Sequence, residues 1–251
     1  MAERRDWDQM GAASGLLATV MFVIAFIMFM STDPTGDTPY PSIENAQTVN
    51  DFFSQNPNQI RLQVLFTTLG IALFLWFLGS LWRVLSEAEG QSARGSVIAL
   101  VGAGAGSVLM LVGLALTYSV LLTTSPAQAN AAPALFTCSA VLFALGGGVL
   151  SLFFFAVGKV ILHTGAMSRW LGWLALLTAV LSVLAFTSPF WLSGVLNPAT
   201  GALGLWTWWT AFVVWLLLAS LVLTFREYRR PEEPAKSGPV PTRPTTEGAG
   251  A

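Results

Sequence analysis

One cysteine, one histidine and only 10% charged residues are what this 251-residue chain has least of. Cys138 alone excludes an intrachain disulfide and a cysteine-built metal centre. His163 alone cannot supply the paired imidazoles of a bis-histidine haem or an H-E-x-x-H zinc site. Charge is scarce enough, against 54% hydrophobic residues, that no water-exposed domain of this size would tolerate the composition on its surface. The net charge of −1 gives no support for nucleic-acid binding. Ionisable side chains are missing from the middle of every apolar run, which argues against pumps, proton-coupled carriers and intramembrane proteases. We therefore expect no catalytic set, no cofactor and no metal.

What the chain has instead is long apolar runs. Leu62 to Trp82 contains no charged side chain, and 21 helical residues reach about 31 Å, the thickness of a hydrocarbon core. The same pattern recurs and predicts an all-α polytopic bundle of six transmembrane helices, at about residues 11–30, 62–82, 96–121, 134–158, 170–190 and 205–225. The first run follows a charged lead with Arg4 and Arg5. It is longer than a usual signal core and no small-x-small cleavage site follows, so it reads as an uncleaved span. Residues 231–251 hold five prolines among Ser, Thr and Gly, the composition of a disordered cytoplasmic tail.

Alternate loops differ sharply in basic residues. Arg4, Arg5, Arg83, Arg94, Lys159, Arg169, Arg226, Arg229, Arg230, Lys236 and Arg243 fall on one side, and Arg61 alone on the other. The positive-inside rule then places both termini in the cytoplasm. Tryptophans are expected at the two boundaries: Trp7, Trp82, Trp170 and Trp173 inside, Trp191, Trp206, Trp208 and Trp209 outside.

Residues 31–60 form the only long outer loop. Ile43, Ala46, Val49, Phe52 and Phe53 recur near helical spacing with Ser42 as a candidate N-cap, which predicts a short amphipathic helix, either a lid or a packed connector. Asp33, Asp37, Glu44 and Asp51 crowd this loop without the spacing of a calcium site, and read as a solvated face.

Small residues mark where helices approach. Gly102, Gly106 and Gly113 share a stripe of span three, and Ala144, Gly147 and Ser151 a stripe of span four, so these two spans are expected to pack tightly through those residues. The run GAGAG at 102–106 follows no strand and is not a nucleotide loop. Gln63 and Thr67 share a face of span two with Gly70 and are expected to meet Tyr118, Thr117 or Thr137, either as a ligand-facing polar stripe or as hydrogen bonds between helices. His163 is expected as a solvated loop residue and Cys138 as a buried small hydrophobe.

The stretch FLWFLGSLWRVLSEAEG at 74–90, with FFSQNPNQIR before it, resembles uncharacterised six-span integral membrane proteins common in actinobacteria. The resemblance is specific over about residues 50–90. It implies a multi-pass protein of the bacterial cytoplasmic membrane and carries no activity with it. Within the stretch Trp76 and Phe77 are large anchors, Gly79 permits close approach, and Glu87 or Glu89 is placed to pair with Arg83 or Arg94 for less than ~1 kcal/mol if exposed. The reading is a non-enzymatic accessory, structural or interaction subunit, in contact with membrane lipids and with a membrane-protein partner or a second copy. The alternative is a carrier or binder of a lipid or other apolar small molecule between the helices, lined by residues such as Phe153, Phe154 and Phe155. An enzyme at the cytoplasmic face would need two or more of His163, Lys159, Glu87 and Glu89 to converge in one cleft.

Overall fold

The computed structural model describes residues 2–31, 46–123, 131–190 and 207–228. Among the described residues all regular structure is helical: α1 (Ala2–Met30), α2 (Ala46–Gln55), α3 (Pro57–Glu89), α4 (Arg94–Leu122), α5 (Ala132–Thr164), α6 (Arg169–Thr187) with a short 3-10 turn at Ser188–Phe190, and α7 (Thr207–Tyr228). All but α2 are long and apolar enough to cross a membrane. Proline at the start of α3 supplies a preset φ where no N–H is needed. Gly165 ends α5 in the left-handed conformation, at φ 67°.

Between 39% and 44% of each span's most apolar stretch is buried within the bundle. The rest is half-buried or exposed, and the exposed surface is itself apolar: Leu17, Val20, Leu65, Leu69, Val101, Val108, Leu177 and Val180 are all exposed. A surface so greasy on every span requires lipid rather than water around it. The chain is a multi-pass helical bundle. α3 and α5 each run 33 residues, about 50 Å, and so overshoot a core of about 30 Å. Their polar ends stay helical instead of becoming loops, which moves Lys159 and His163 out of the expected loop and onto the last turns of α5.

The six spans form a ring in chain order: α1 packs on α3, α3 on α4, α4 on α5, α5 on α6, α6 on α7, and α7 closes on α1. Neighbours are antiparallel, as the contacts require. Gly11 of α1 lies against Ser80 near the end of α3, Gly15 against Ser220 near the end of α7, Gly95 against Val160, and Gly158 against the Gly172 carbonyl. One face of the ring, here the terminal face, thus gathers the start of α1 and the end of α7 with the α3–α4 and α5–α6 turns. The opposite, arm face carries α2.

Aromatic rings fill the centre. Phe22 of α1, Phe74 of α3, Phe153 and Phe154 of α5, and Phe212 and Trp215 of α7 are each 2% exposed or less. Most meet edge to face, with centroids 5.3 Å apart for Phe74–Phe212, 5.8 Å for Phe74–Phe153 and 5.4 Å for Phe154–Trp215, while Phe22 meets Phe212 at a tilt. Such pairs contribute about 0.5–1.5 kcal/mol each beyond the area they bury.

Candidate functional site

A polar ligand site built on the α3 stripe would lie toward the arm face. Thr67 is buried, but its hydroxyl donates to the Gln63 carbonyl of its own helix at 2.7 Å. Gln63 is half-buried, and Gly70, on the same stripe, receives the ring of Phe22 from α1. Tyr118 is 41% exposed and points away from the core. Thr137 bonds to its own helix at Pro133, and Thr117 turns to α5, so the expected stripe does not assemble. The reason is one of facing: Gly70 points at α1, whereas Thr117 points at α5.

Over this face lies α2. Val49 and Phe53 are wholly buried, packed with Ile60, Val120, Ala132 and Phe136 in a cluster separate from the main core. Phe53 meets Phe136 edge to face at 5.6 Å. The amphipathic helix therefore docks on the ends of α3, α4 and α5. Ser42, Ile43, Asp33, Asp37 and Glu44 lie outside the described residues, as do Trp191, Trp206 and the 231–251 tail. Asp51 is exposed.

The α4–α5 seam runs through glycine. A methyl group added at Gly102 would lie 2.9 Å from the backbone nitrogen of Phe153, and one at Gly106 would lie 3.0 Å from the Gly146 carbonyl oxygen. Gly113 faces Phe143 and the Ser139 carbonyl. Thr117 donates to the Gly113 carbonyl and is bonded across the seam to the Ser139 hydroxyl at 2.9 Å. On α5 the partner stripe is Ser139, Gly146 and Leu150, rotated from the expected one. Gly147 packs on Trp208 of α7, Gly148 on Phe186 of α6, Ala144 is buried and Ser151 is half-buried. Three successive glycines, ~100° apart on a helix, thus admit three different neighbours.

On the terminal face the acidic residues divide. Glu87 pairs with Arg83 one turn away at 2.9 Å. Glu89 accepts the backbone N–H groups of Gly95 at 3.0 Å and Ser96 at 2.7 Å, and the Ser96 hydroxyl as well. It caps α4 from the preceding helix, because the residue at the cap position, Ala93, has no side-chain acceptor and sits at φ 35°. Glu89 is thus bonded to the first turn of α4, and of the expected pairings it is Glu87 with Arg83 that forms. His163 and Lys159 are exposed on α5, and among the described residues neither is held against Glu87 or Glu89.

Comparison of the chain with protein-family profiles, curated proteins and solved structures finds no match.

Several contacts escaped the sequence reading. Gly11 and Gly15 on α1 form a small-x-x-x-small pair that seats Ser80 of α3 and Ser220 of α7, a spacing visible in the sequence. The Trp215 indole N–H donates to the Leu171 carbonyl at 3.2 Å and ties α7 to α6. Trp208, expected at the boundary, is 1% exposed and belongs to the core, while Trp82, Trp170 and Trp173 are exposed on the terminal side. Trp76 is exposed and Phe77 buried; nothing approaches Gly79 within 4 Å. Cys138 is exposed on α5, and Phe155 points outward, away from Phe153 and Phe154.

Proposed function

We propose that the chain is a non-enzymatic six-span subunit of the bacterial cytoplasmic membrane, acting as a structural, accessory or interaction module, with both termini in the cytoplasm. The observation that carries this reading is the filled centre. The volume in which a carrier would hold cargo between helices is occupied by Phe22, Phe74, Phe153, Phe154, Phe212 and Trp215, with neighbouring ring centroids 4.8–5.9 Å apart. Opening a ligand-sized gap there would separate several edge-to-face pairs at once. A rigid bundle of this kind works through its outer surfaces and loops.

Orientation is supported by the asymmetry of basic residues, 11 of the 12 lying on the terminal side by sequence. The bacterial membrane is supported by the resemblance over residues 50–90. The test is extraction from native membranes in a mild detergent, with chemical crosslinking before lysis. A discrete complex containing a second membrane protein or a second copy is expected. A strictly monomeric particle without crosslinked neighbours would contradict the proposal.

A further inference from the structure

The terminal face carries more positive charge than its described carboxylates answer. Glu87 is paired with Arg83 and Glu89 is bonded to the first turn of α4. Arg94, Lys159 and Arg169 are exposed, and among the described residues no carboxylate is within ion-pair distance of them.

These three cations share one wall of the ring. α5 is held to α4 through Val160, which touches Gly95, and to α6 through Gly158, which touches the Gly172 carbonyl. At ~100° per residue Lys159 falls midway between those two contacts. Val157 and Ile161, both wholly buried, point the opposite way, into the bundle. Lys159 therefore projects outward between the first turn of α4, which carries Arg94, and the first turn of α6, which carries Arg169. Toward the middle of the membrane the same face continues as Phe155 and Leu152, 56% and 53% exposed. Trp173, 65% exposed, follows Gly172 at the depth of Lys159, where interfacial tryptophans mark the headgroup level.

We propose that this wall is a binding site for an anionic phospholipid, its headgroup phosphate held among Arg94, Lys159 and Arg169 and its acyl chains lying along Phe155 and Leu152. Guanidinium groups take phosphate oxygens two at a time, and a lysine on a lipid-facing helix extends its ammonium toward the headgroups. Adjacent helix axes lie about 8–10 Å apart, so side chains on three successive helices can converge on one phosphate. The site requires only that the bundle spans a bilayer. It is independent of which compartment the terminal face meets and of whether the chain has a protein partner.

Native mass spectrometry of the full chain from detergent micelles doped equally with phosphatidylglycerol and phosphatidylethanolamine tests it. The wild type is expected to retain phosphatidylglycerol several-fold over phosphatidylethanolamine. Each basic residue near an anionic headgroup is worth roughly fivefold in binding, so K159Q/R169Q should lose about 30-fold and Arg94→Gln about fivefold. Arg61→Gln, which removes a cation from the arm face, should change nothing. Elution volume and helical circular dichroism matching the wild type establish that each variant is folded. Equal retention of the two lipids by the wild type would overturn the proposal, as would unchanged retention in the folded variants. Displacement of the lipid by millimolar inorganic phosphate would overturn it too, in favour of a free-anion site.

Discussion

Gly102 and Gly104 lie two residues apart on α4 and make opposite demands. A methyl at Gly102 would sit 2.9 Å from the Phe153 backbone nitrogen and 3.2 Å from Leu152 Cβ, whereas nothing lies within 4 Å of one at Gly104. Ordinary contact begins at 3.4 Å, so α4 must move from α5 by about half an ångström, and backbone cannot rotate aside as a side chain can. Separation on that scale forfeits roughly a quarter of the dispersion well for every atom pair along the seam, and overpacking of this kind costs about 1–3 kcal/mol. Alanine is favoured over glycine inside a helix by about 1 kcal/mol at both positions. Gly104→Ala should therefore stabilise by up to ~1 kcal/mol, and Gly102→Ala should be worse than it by about 1–3 kcal/mol. Reversible unfolding in mixed detergent and SDS micelles, followed by circular dichroism, measures the difference directly. Equal stability of the two variants, or a less stable Gly104→Ala, would refute the close seam.

Other consequences follow from the terminal face and the centre. Glu89→Ala removes the acceptor for two backbone N–H groups of α4 and should cost about 1–2 kcal/mol in the same unfolding assay. Glu87→Ala breaks the pair with Arg83, in which the Glu87 side chain is 52% exposed, and the loss of that pair should cost under ~0.5 kcal/mol. Ala93→Gly relieves a left-handed alanine and should stabilise by up to ~1 kcal/mol, read as a raised unfolding midpoint. A double-mutant cycle of Phe74→Ala and Phe212→Ala should give a coupling of about 0.5–1.5 kcal/mol from their edge-to-face contact, against nearly none for Phe74 with the outward Phe155.

The spans were legible because lipid allows no other backbone solution than a continuous apolar helix or a closed barrel, so hydropathy alone finds them. The amphipathic arm was legible from the spacing of Val49 and Phe53, both of which are buried. Which neighbour a face meets was not. Periodicity shows that Gly146, Gly147 and Gly148 point in three directions, but only the ring order decides that these directions hold Gly106, Trp208 and Phe186. The α3 stripe of Gln63, Thr67 and Gly70 failed for the same reason, since a helical wheel carries no information about the helix opposite. The Glu89 cap crosses a turn that contains Gly90 at φ 68°, outside the reach of any helical spacing rule. The pair Gly11 and Gly15 was visible in the sequence as a small-x-x-x-small spacing.

How the chain threads the membrane is measured most directly by site-directed labelling in intact cells. In a Cys138→Ser background, single cysteines at Ala2, Asp51 and Gly250 are exposed to a membrane-impermeant maleimide before and after permeabilisation. Labelling of Asp51→Cys in intact cells, with Ala2→Cys and Gly250→Cys labelled only after permeabilisation, is the predicted result. Labelling of either terminal cysteine in intact cells, or protection of Asp51→Cys, would contradict it.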